Sequence, residues 1–340
     1  MRATIVAIAR RAGVSTATVD RTLNNRAGVK ERTRVRVIAA AEELGYLTTR
    51  SAGAPSPRTG ALATIDFVVP GGTNTFLRTL AQQIEATAAA RREEARIRVH
   101  VIEGFNPDAL AVTLTELKGR TGGIGVIALD HPTVREAIRD VAAAGVPVVT
   151  MVSDISNVPR LAYVGIDNRA AGRLAGHLLG RFIGPSGGQV ALFAGSLSYR
   201  GHEEREMGFR HMLAEDYGHL EVVSLREVRD DIERAYQEAR ALLSAYPALA
   251  GIYNIGAGNR GIARALEEAG RAQKVVYVCH ELTEHTRRFL LSGTLDVAID
   301  QNPRVEVRDA VDRLIAAAEG RPPPDLAPIR IQAIFRENIP

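Results

Sequence analysis

Apolar positions in the first fifty residues recur with a helical period. Ile5, Ile8, Ala9 and Ala12 fall at i, i+3, i+4 and i+7, which is one face of a helix. Gly13 ends it, because glycine takes a positive φ at little cost. Val14 reads as the apolar plug of a turn and Ser15 as the side-chain cap of a second helix. That helix covers residues 16–24 and turns Val19 and Leu23 inward; Thr16, Ala17, Asp20, Arg21 and Asn24 form its small, polar outer face. A third helix, residues 32–44, is expected to bury Val35, Ile38, Ala39 and Leu44 and to stop at Gly45. Two helices about a glycine turn, braced by a third, predict a helix-turn-helix, whose second helix can enter the DNA major groove.

The pattern changes after residue 48. Residues 49–60 contain Gly53, Pro55, Pro57 and Gly60 among small polar groups, the composition of a linker. Interior Gly and Pro cost a helix roughly 1 and 3 kcal/mol relative to Ala, so this segment is expected to stay extended. From residue 61, short apolar runs alternate with helical stretches. The runs are 62–69, 97–102, 124–129, 146–151, 190–193, 222–225, 251–255, 275–278 and 297–299. The helices between them are 77–94, 109–117, 134–144, 170–182, 205–213, 231–244, 262–268 and 305–318. Strand alternating with helix predicts parallel, doubly wound sheets covered on both faces. So many units suggest two sheets, with chain crossings near 162–167, near Leu295 and near 322–324. The expected division is a head at 1–48, a linker at 49–60 and a core at 61–340. Within that core, lobe 1 takes about 61–163 and 296–322, and lobe 2 about 164–295 and 323–340.

Charge sharpens the contrast between head and core. Residues 1–50 hold ten Lys and Arg against four acids, a net of +6, whereas the whole 340-residue chain is only +4. Basicity confined to the helical head is what a phosphate-binding surface needs. With 46% hydrophobic residues the chain has ample material for a core, yet no apolar run is long enough for a membrane span. No leader pattern opens the sequence, and its one cysteine, Cys279, forms no internal disulfide. A cytoplasmic, nucleoid-associated location is expected.

The head resembles a known family. Ala9-x-x-Ala12-Gly13-Val14-Ser15-x-x-Thr18-Val19-x-Arg21-x-Leu23-Asn24, then Thr33-Arg34-x-x-Val37 and Leu44-Gly45-Tyr46, are similar to the start of lactose-repressor (LacI/GalR) family regulators. The resemblance implies DNA contacts from Thr4, Ser15, Thr16, Ala17, Thr18, Asp20, Arg21, Asn24, Arg26, Thr33 and Arg34. Asp20 departs from the Ser usual beside the recognition Arg; an acid there either accepts from a base amino group such as cytosine N4 or orients Arg21. The core is similar, more loosely, to the family's sugar-binding domain, a two-lobed periplasmic-binding-protein type I fold. The fold class expected is thus an all-α head on an α/β core of two parallel sheets.

In open α/β sheets ligands bind beyond the carboxyl ends of the strands, so candidate ligand residues lie in strand-to-helix loops. Asn74-Thr75-Phe76 is similar to the family's Asn-Pro-Phe, implying a hydroxyl contact and an aromatic face. Arg205-x-x-Gly208-Phe209 matches the family's Arg-x-x-Gly-aromatic motif, and a planar five-donor fork suits ring hydroxyls. His202, one turn before Arg205, would reach the same cleft; Asn254 and Gln301, ending strands, stand at the family's Asn and Gln positions, and Asp130 and His131 are further candidates. Two places depart from the family: His280-Glu281 stands where an Asp is usual, and Val152-Ser153-Asp154 stands where an acid directly follows its strand. A histidine beside Arg205 better tolerates an acidic or phosphorylated polyol than a plain hexose or pentose.

Three enzyme-like signals compete. Gly256-x-Gly258-x-x-Gly261 follows a strand and opens a helix, with Glu281 further on, imitating a dinucleotide fingerprint; it lies deep in the chain rather than in a first βα unit. His280-Glu281-Leu282-Thr283-Glu284-His285 misses H-E-x-x-H by one residue, which turns the second His off the metal face of a helix. Cys279 and His280 are neighbours on a strand and point to opposite faces. The reading is a sequence-specific transcriptional regulator, a repressor, with no cofactor, no metal site and no catalytic residues. It binds palindromic operator DNA as a homodimer and a small polar effector, a sugar or sugar derivative, between its lobes, without contact with a membrane. The rival is an NAD-dependent oxidoreductase with a helical cap. Specific retention on a palindromic duplex, without a cofactor-dependent absorbance change, separates the two.

Overall fold

A computed structural model describes residues 5–23, 29–43 and 62–340. Thr4, Asn24, Arg26, Leu44 and the linker at 49–60 lie outside the described residues. The chain divides into two compact units, residues 1–56 and 57–340.

The first unit contains α1 (Ile5–Ala12), α2 (Thr16–Leu23) and α3 (Glu31–Glu43). Gly13 takes a φ of +64°, and the Val14 N–H donates to the Ala9 carbonyl at 3.0 Å, the closing bond of a glycine-ended helix. Ser15 Oγ then accepts from the Thr18 N–H at 3.2 Å and starts α2. Ile8, Ala9, Ala12 and Val19 meet Val37, Ala40 and Ala41 in one small core. The face expected of α3 is corrected here. Val35 is 60% exposed, Ala39 is exposed and Ile38 half-buried, whereas Val37, Ala40 and Ala41 are buried. Both sets have helical spacing; Arg36, whose guanidinium reaches the Ala12 carbonyl, ties α3 to the end of α1 in the rotation observed.

The second unit holds two sheets. The first has the order β2-β1-β3-β4-β5, from β1 (Ala63–Pro70), β2 (Ala95–Ile102), β3 (Gly123–Val126), β4 (Val148–Met151) and β5 (Ala162–Val164). All its pairs are parallel. Helices α4 (Thr75–Ala90), α5 (Pro107–Leu117) and α6 (Pro132–Ala143) connect its strands. Asn74, Asn106 and His131 start them with side-chain caps. The second sheet has the order β11-β10-β9-β8-β6-β7. Its strands are β6 (Gly188–Ala194), β7 (Leu220–Glu227), β8 (Leu249–Asn254), β9 (Val276–His280), β10 (Val297–Asp300) and β11 (Gln332–Ile334). Around it lie α7 (Asn168–Ile183), α8 (Arg200–Asp216), α9 (Ile232–Ala245), α10 (Asn259–Glu268) and α11 (Glu284–Ser292).

Two expectations change. Strand β10 does not belong to the first sheet: Val297, Ala298 and Ile299 pair with Val278, Cys279 and His280. The second crossing therefore comes after Asp300, not near Leu295, and α12 (Pro303–Ala318) is what returns to the first lobe. Its Val307, Ala310, Val311 and Leu314 share a core with Ile65, Phe67 and Val148. Strand β11, absent from the sequence expectation, runs antiparallel to β10 and makes the second sheet mixed.

Helices α7 and α8 lie unusually close, and this positions a residue of the cleft. A Cβ on Gly172 would stand 1.9 Å from the Arg205 carbonyl oxygen, and one on Gly208 2.1 Å from the Arg169 carbonyl oxygen. Only glycine lets the two backbones meet. Gly172→Ala gains up to about 1 kcal/mol of helix propensity, yet overpacking at this contact costs about 1–3 kcal/mol. The variant is expected to melt several degrees lower by circular dichroism; an equal or higher Tm would show that the helices can separate freely.

Candidate ligand-binding cleft

The two sheets point the carboxyl ends of their strands at one cleft, whose free space is about 800 Å³ including the part open to solvent. Its chemistry begins with Arg205, in the second turn of α8 and only 4% exposed. Its Nε donates to Asn168 Oδ1 at 2.7 Å and its Nη1 to the Ile255 carbonyl at 3.0 Å. These two bonds fix the plane of the guanidinium and leave Nη2 turned toward Glu281 Oε1, 4.0 Å away.

Glu281 follows β9 with a φ of +72°, a left-handed conformation uncommon for a side-chain-bearing residue. Gln301, just after β10, donates through Nε2 to Glu281 Oε1 at 2.5 Å. Burial, with the nearby Asp300 charge, pushes the Glu281 carboxyl up to about 8 against the opposing pull of Arg205, so it is mostly protonated at neutral pH. His280, the last residue of β9, bonds Tyr253 OH through Nε2 at 2.8 Å. Burial, reinforced by the Arg205 and His202 charges, holds its pKa well below the usual imidazole range. Three buried atoms on this floor have no hydrogen-bond partner among the described residues: Glu281 Oε2, Gln301 Oε1 and His280 Nδ1. Buried polar groups are ordinarily satisfied, so a set of three lining one cleft has bonding capacity left over.

The lobes also touch directly. Asn74, capping α4 in the first lobe, donates through Nδ2 to Asp230 Oδ2 of the second at 2.8 Å. Thr73 Oγ1 donates to the Asp230 carbonyl at 2.9 Å. The Gly201 N–H donates to Ser153 Oγ at 3.1 Å. His202 Nδ1 donates to the Ser196 carbonyl at 2.8 Å; burial lowers its pKa, opposed by the Asp230 charge and assisted by Arg205.

Of the sequence candidates, Asn74, Phe76, Ser153, His202, Arg205, His280, Glu281 and Gln301 line the cleft. Four others do not. Asp130 is held by Arg135 and by Ser156 Oγ, and His131 caps α6. Asp154 is held by Thr150 and Arg160. Asn254 is fully buried; its Nδ2 donates to the Ala257 carbonyl at 3.1 Å and to Asn259 Oδ1 at 2.6 Å, shaping the loop from behind. Asp230, Tyr199, Arg260 and His285 line the cleft as well and were not among the candidates. Asp230 lies three residues after β7 and directly before the helix cap Asp231. The glycines of the fingerprint-like loop have packing roles. A Cβ on Gly256 would come within 2.6 Å of the Gly195 nitrogen, and one on Gly261 within 2.1 Å of the Ile232 carbonyl oxygen.

In the helical head, Ser15, Thr16 and Arg21 are exposed, and Thr18, Thr33 and Arg34 are half-buried. Thr18 Oγ1 lies 2.9 Å from Ser15 Oγ. Ala17 and Asp20 belong to α2.

Residues 65–322 match the family described as periplasmic binding protein domain, and residues 4–49 match the bacterial regulatory proteins of the lacI family. The chain is 26% identical over 247 residues to the HTH-type transcriptional regulator DegA of Bacillus subtilis (strain 168), an alignment covering 72% of this chain and 70% of that one. It is 28% identical over 278 residues to the ribose operon repressor of the same organism, covering 81% and 78%. Among solved structures, the glucose-galactose binding protein GanP of Geobacillus stearothermophilus superposes with a TM-score of 0.75. That match has 23% identity and covers 82% of this chain and 99% of that one.

Proposed function

The chain belongs to the periplasmic binding protein domain family and carries the head of the lacI family of bacterial regulatory proteins, and on that premise we propose that it is a DNA-binding transcriptional repressor released or engaged by a sugar-like effector. The observation that carries the effector reading is the cleft floor, where Glu281 Oε2, Gln301 Oε1 and His280 Nδ1 stand buried without protein partners around the fixed guanidinium of Arg205. Relatives named for a ribose operon and neighbours named for glucose, galactose and arabinose agree with a polyhydroxylated ligand. The protein acts in the cytoplasm as a regulator and not as an enzyme.

The mechanism is linkage. A ligand that bonds both lobes favours the closed arrangement by its differential affinity for it. In a homodimer, closure changes how the two heads meet paired half-sites, since a palindromic operator mirrors a two-fold protein. Fluorescence anisotropy on a palindromic duplex, with and without a panel of sugars, tests the reading. Duplex affinity that no panel member alters, together with no thermal shift, would remove the effector assignment; a ligand at 100 times its Kd adds about 2.7 kcal/mol of stability.

Arg21 is exposed near the end of α2. If it reads a base edge, Arg21→Ala weakens binding to the cognate duplex by ~1–3 kcal/mol and leaves the effector-induced thermal shift in place. Equal losses on cognate and random duplexes would mean that Arg21 touches phosphate alone.

A further inference from the structure

The loop between β8 and α10, singled out in the sequence for its glycines, opens on the cleft with a helix start that no side chain caps, as at Tyr199 of α8. Helices α4, α7, α9 and α11 start with side-chain caps from Asn74, Asp167, Asp231 and Thr283. Helix α10 starts at Gly258, which has a φ of +89° and no side chain to offer. The N–H groups of Gly258, Asn259 and Arg260 make no hydrogen bond within the described residues. The first N–H groups of a helix, with the positive end of its dipole, favour an anion.

Charge at the same place agrees. Arg260 lines the cleft, is exposed and has no acid or hydrogen-bond partner among the described residues. The charges of Arg260, Arg288 and Arg78 of the first lobe act on the His285 imidazole, against that of Glu284, whose Oε1 is 3.1 Å from His285 Nε2. Among the described residues Arg78 bonds only Thr75 Oγ1, at 3.3 Å. The Asp230 side chain nearby is engaged through both oxygens, by Asn74 Nδ2 and by the Ala257 N–H. An open helix start and arginines without an acid partner among the described residues thus border a floor of unpartnered polar atoms.

We infer that the effector is an anionic polyol, whose phosphate or carboxylate rests on the Gly258–Asn259–Arg260 turn while its hydroxyls reach Glu281, Gln301 and His280. This rests on the effector reading above and narrows it. The loop's resemblance to a dinucleotide fingerprint has the same physical origin, an uncapped helix start that glycine keeps open to an anion, without a nucleotide.

The test uses the full-length protein, as wild type and as Arg260→Gln, with calorimetry on matched probes: D-ribose, D-ribonate and D-ribose 5-phosphate, then D-glucose, D-gluconate and D-glucose 6-phosphate, and inorganic phosphate alone. In at least one series an anionic member should bind tenfold or more tighter than its neutral sugar. That preference should shrink as salt rises, by screening, and disappear in Arg260→Gln. Whether the acid or the phosphate wins identifies the anionic group. A neutral sugar binding as tightly as its anionic partners would overturn the inference and leave the sugar-effector reading standing. Inorganic phosphate binding as tightly as the sugar phosphates would also overturn it, because the hydroxyl floor would contribute nothing. Binding by no polyol, neutral or anionic, would sink both readings. Arg260 is exposed, so the variant should fold, which an unchanged Tm without ligand verifies.

Discussion

Arg205→Met is expected to weaken effector binding at least a hundredfold, about 2.7 kcal/mol, while the effector-free protein still binds its operator. The side chain is 4% exposed, and two of its nitrogens are committed, Nε to Asn168 and Nη1 to the Ile255 carbonyl. The remaining donors are therefore held in one orientation before the ligand arrives, and little entropy is lost on binding. Charged hydrogen bonds of this kind are worth about 1.5–3 kcal/mol each. The substitution also deprives Glu281 of its nearby cation and leaves Asn168 Oδ1 without its donor, so stability falls too. Binding must be measured below the melting range of the variant. Arg205→Lys restores the charge without the fork and should rescue stability more than affinity. Unchanged effector affinity in Arg205→Met by calorimetry would show that the ligand lies elsewhere.

Local chemistry was the legible part of this chain. The glycine turn, the Ser15 cap and the inward positions of α1 are set by residues within a few positions of one another, and the structure has the turn, the cap and buried Ile8, Ala9 and Ala12 as read. The rotation of α3 was not legible, because Val35/Ile38/Ala39 and Val37/Ala40/Ala41 share the same period. The choice between them comes from contacts with α1, including Arg36 on the Ala12 carbonyl. Strand β10 reads as a strand over 297–299, but which sheet it joins depends on its pairing with β9. In the cleft, a strand-end position shows where a residue lies but not which way it faces. Glu281 and Gln301 turn into the cleft, whereas Asn254, equally at a strand end, turns back into its own loop. Asp230 was missed because its role needs a φ of +55° and a partner, Asn74, in the other lobe.

Stability of the effector-free protein should fall as pH rises from 7 to 8, and Glu281→Gln should flatten that fall. An ordinary glutamate, as in the unfolded chain, titrates near 4.5, whereas Glu281 in the fold is pushed up to about 8, by burial first and by Asp300 second. Below 4.5 both states hold the proton and this site's stability is fully present. Between 4.5 and about 8 the unfolded chain loses its proton while the folded carboxyl keeps it, so folding weakens by up to roughly 1.4 kcal/mol per pH unit. Above 8 both are ionised and the loss is complete. Glu306 and Asp300 act in the same sense, their carboxyls raised chiefly by burial, and Glu281 adds to the rise at Glu306. Removing the Glu281 charge therefore reduces two slopes. His280 and His202, both lowered chiefly by burial, act oppositely: their neutral forms stabilise the fold above the usual imidazole pKa of 6.5, and that contribution is lost as pH falls below it. Above pH 7 the histidine contributions are nearly constant, which leaves the acids to set the slope. Urea unfolding followed by circular dichroism at pH 7.0, 7.5 and 8.0 measures it. Equal slopes for wild type and Glu281→Gln would mean that Glu281 is ionised in the fold at neutral pH, and the cleft floor would then carry a negative charge unsuited to an anionic ligand.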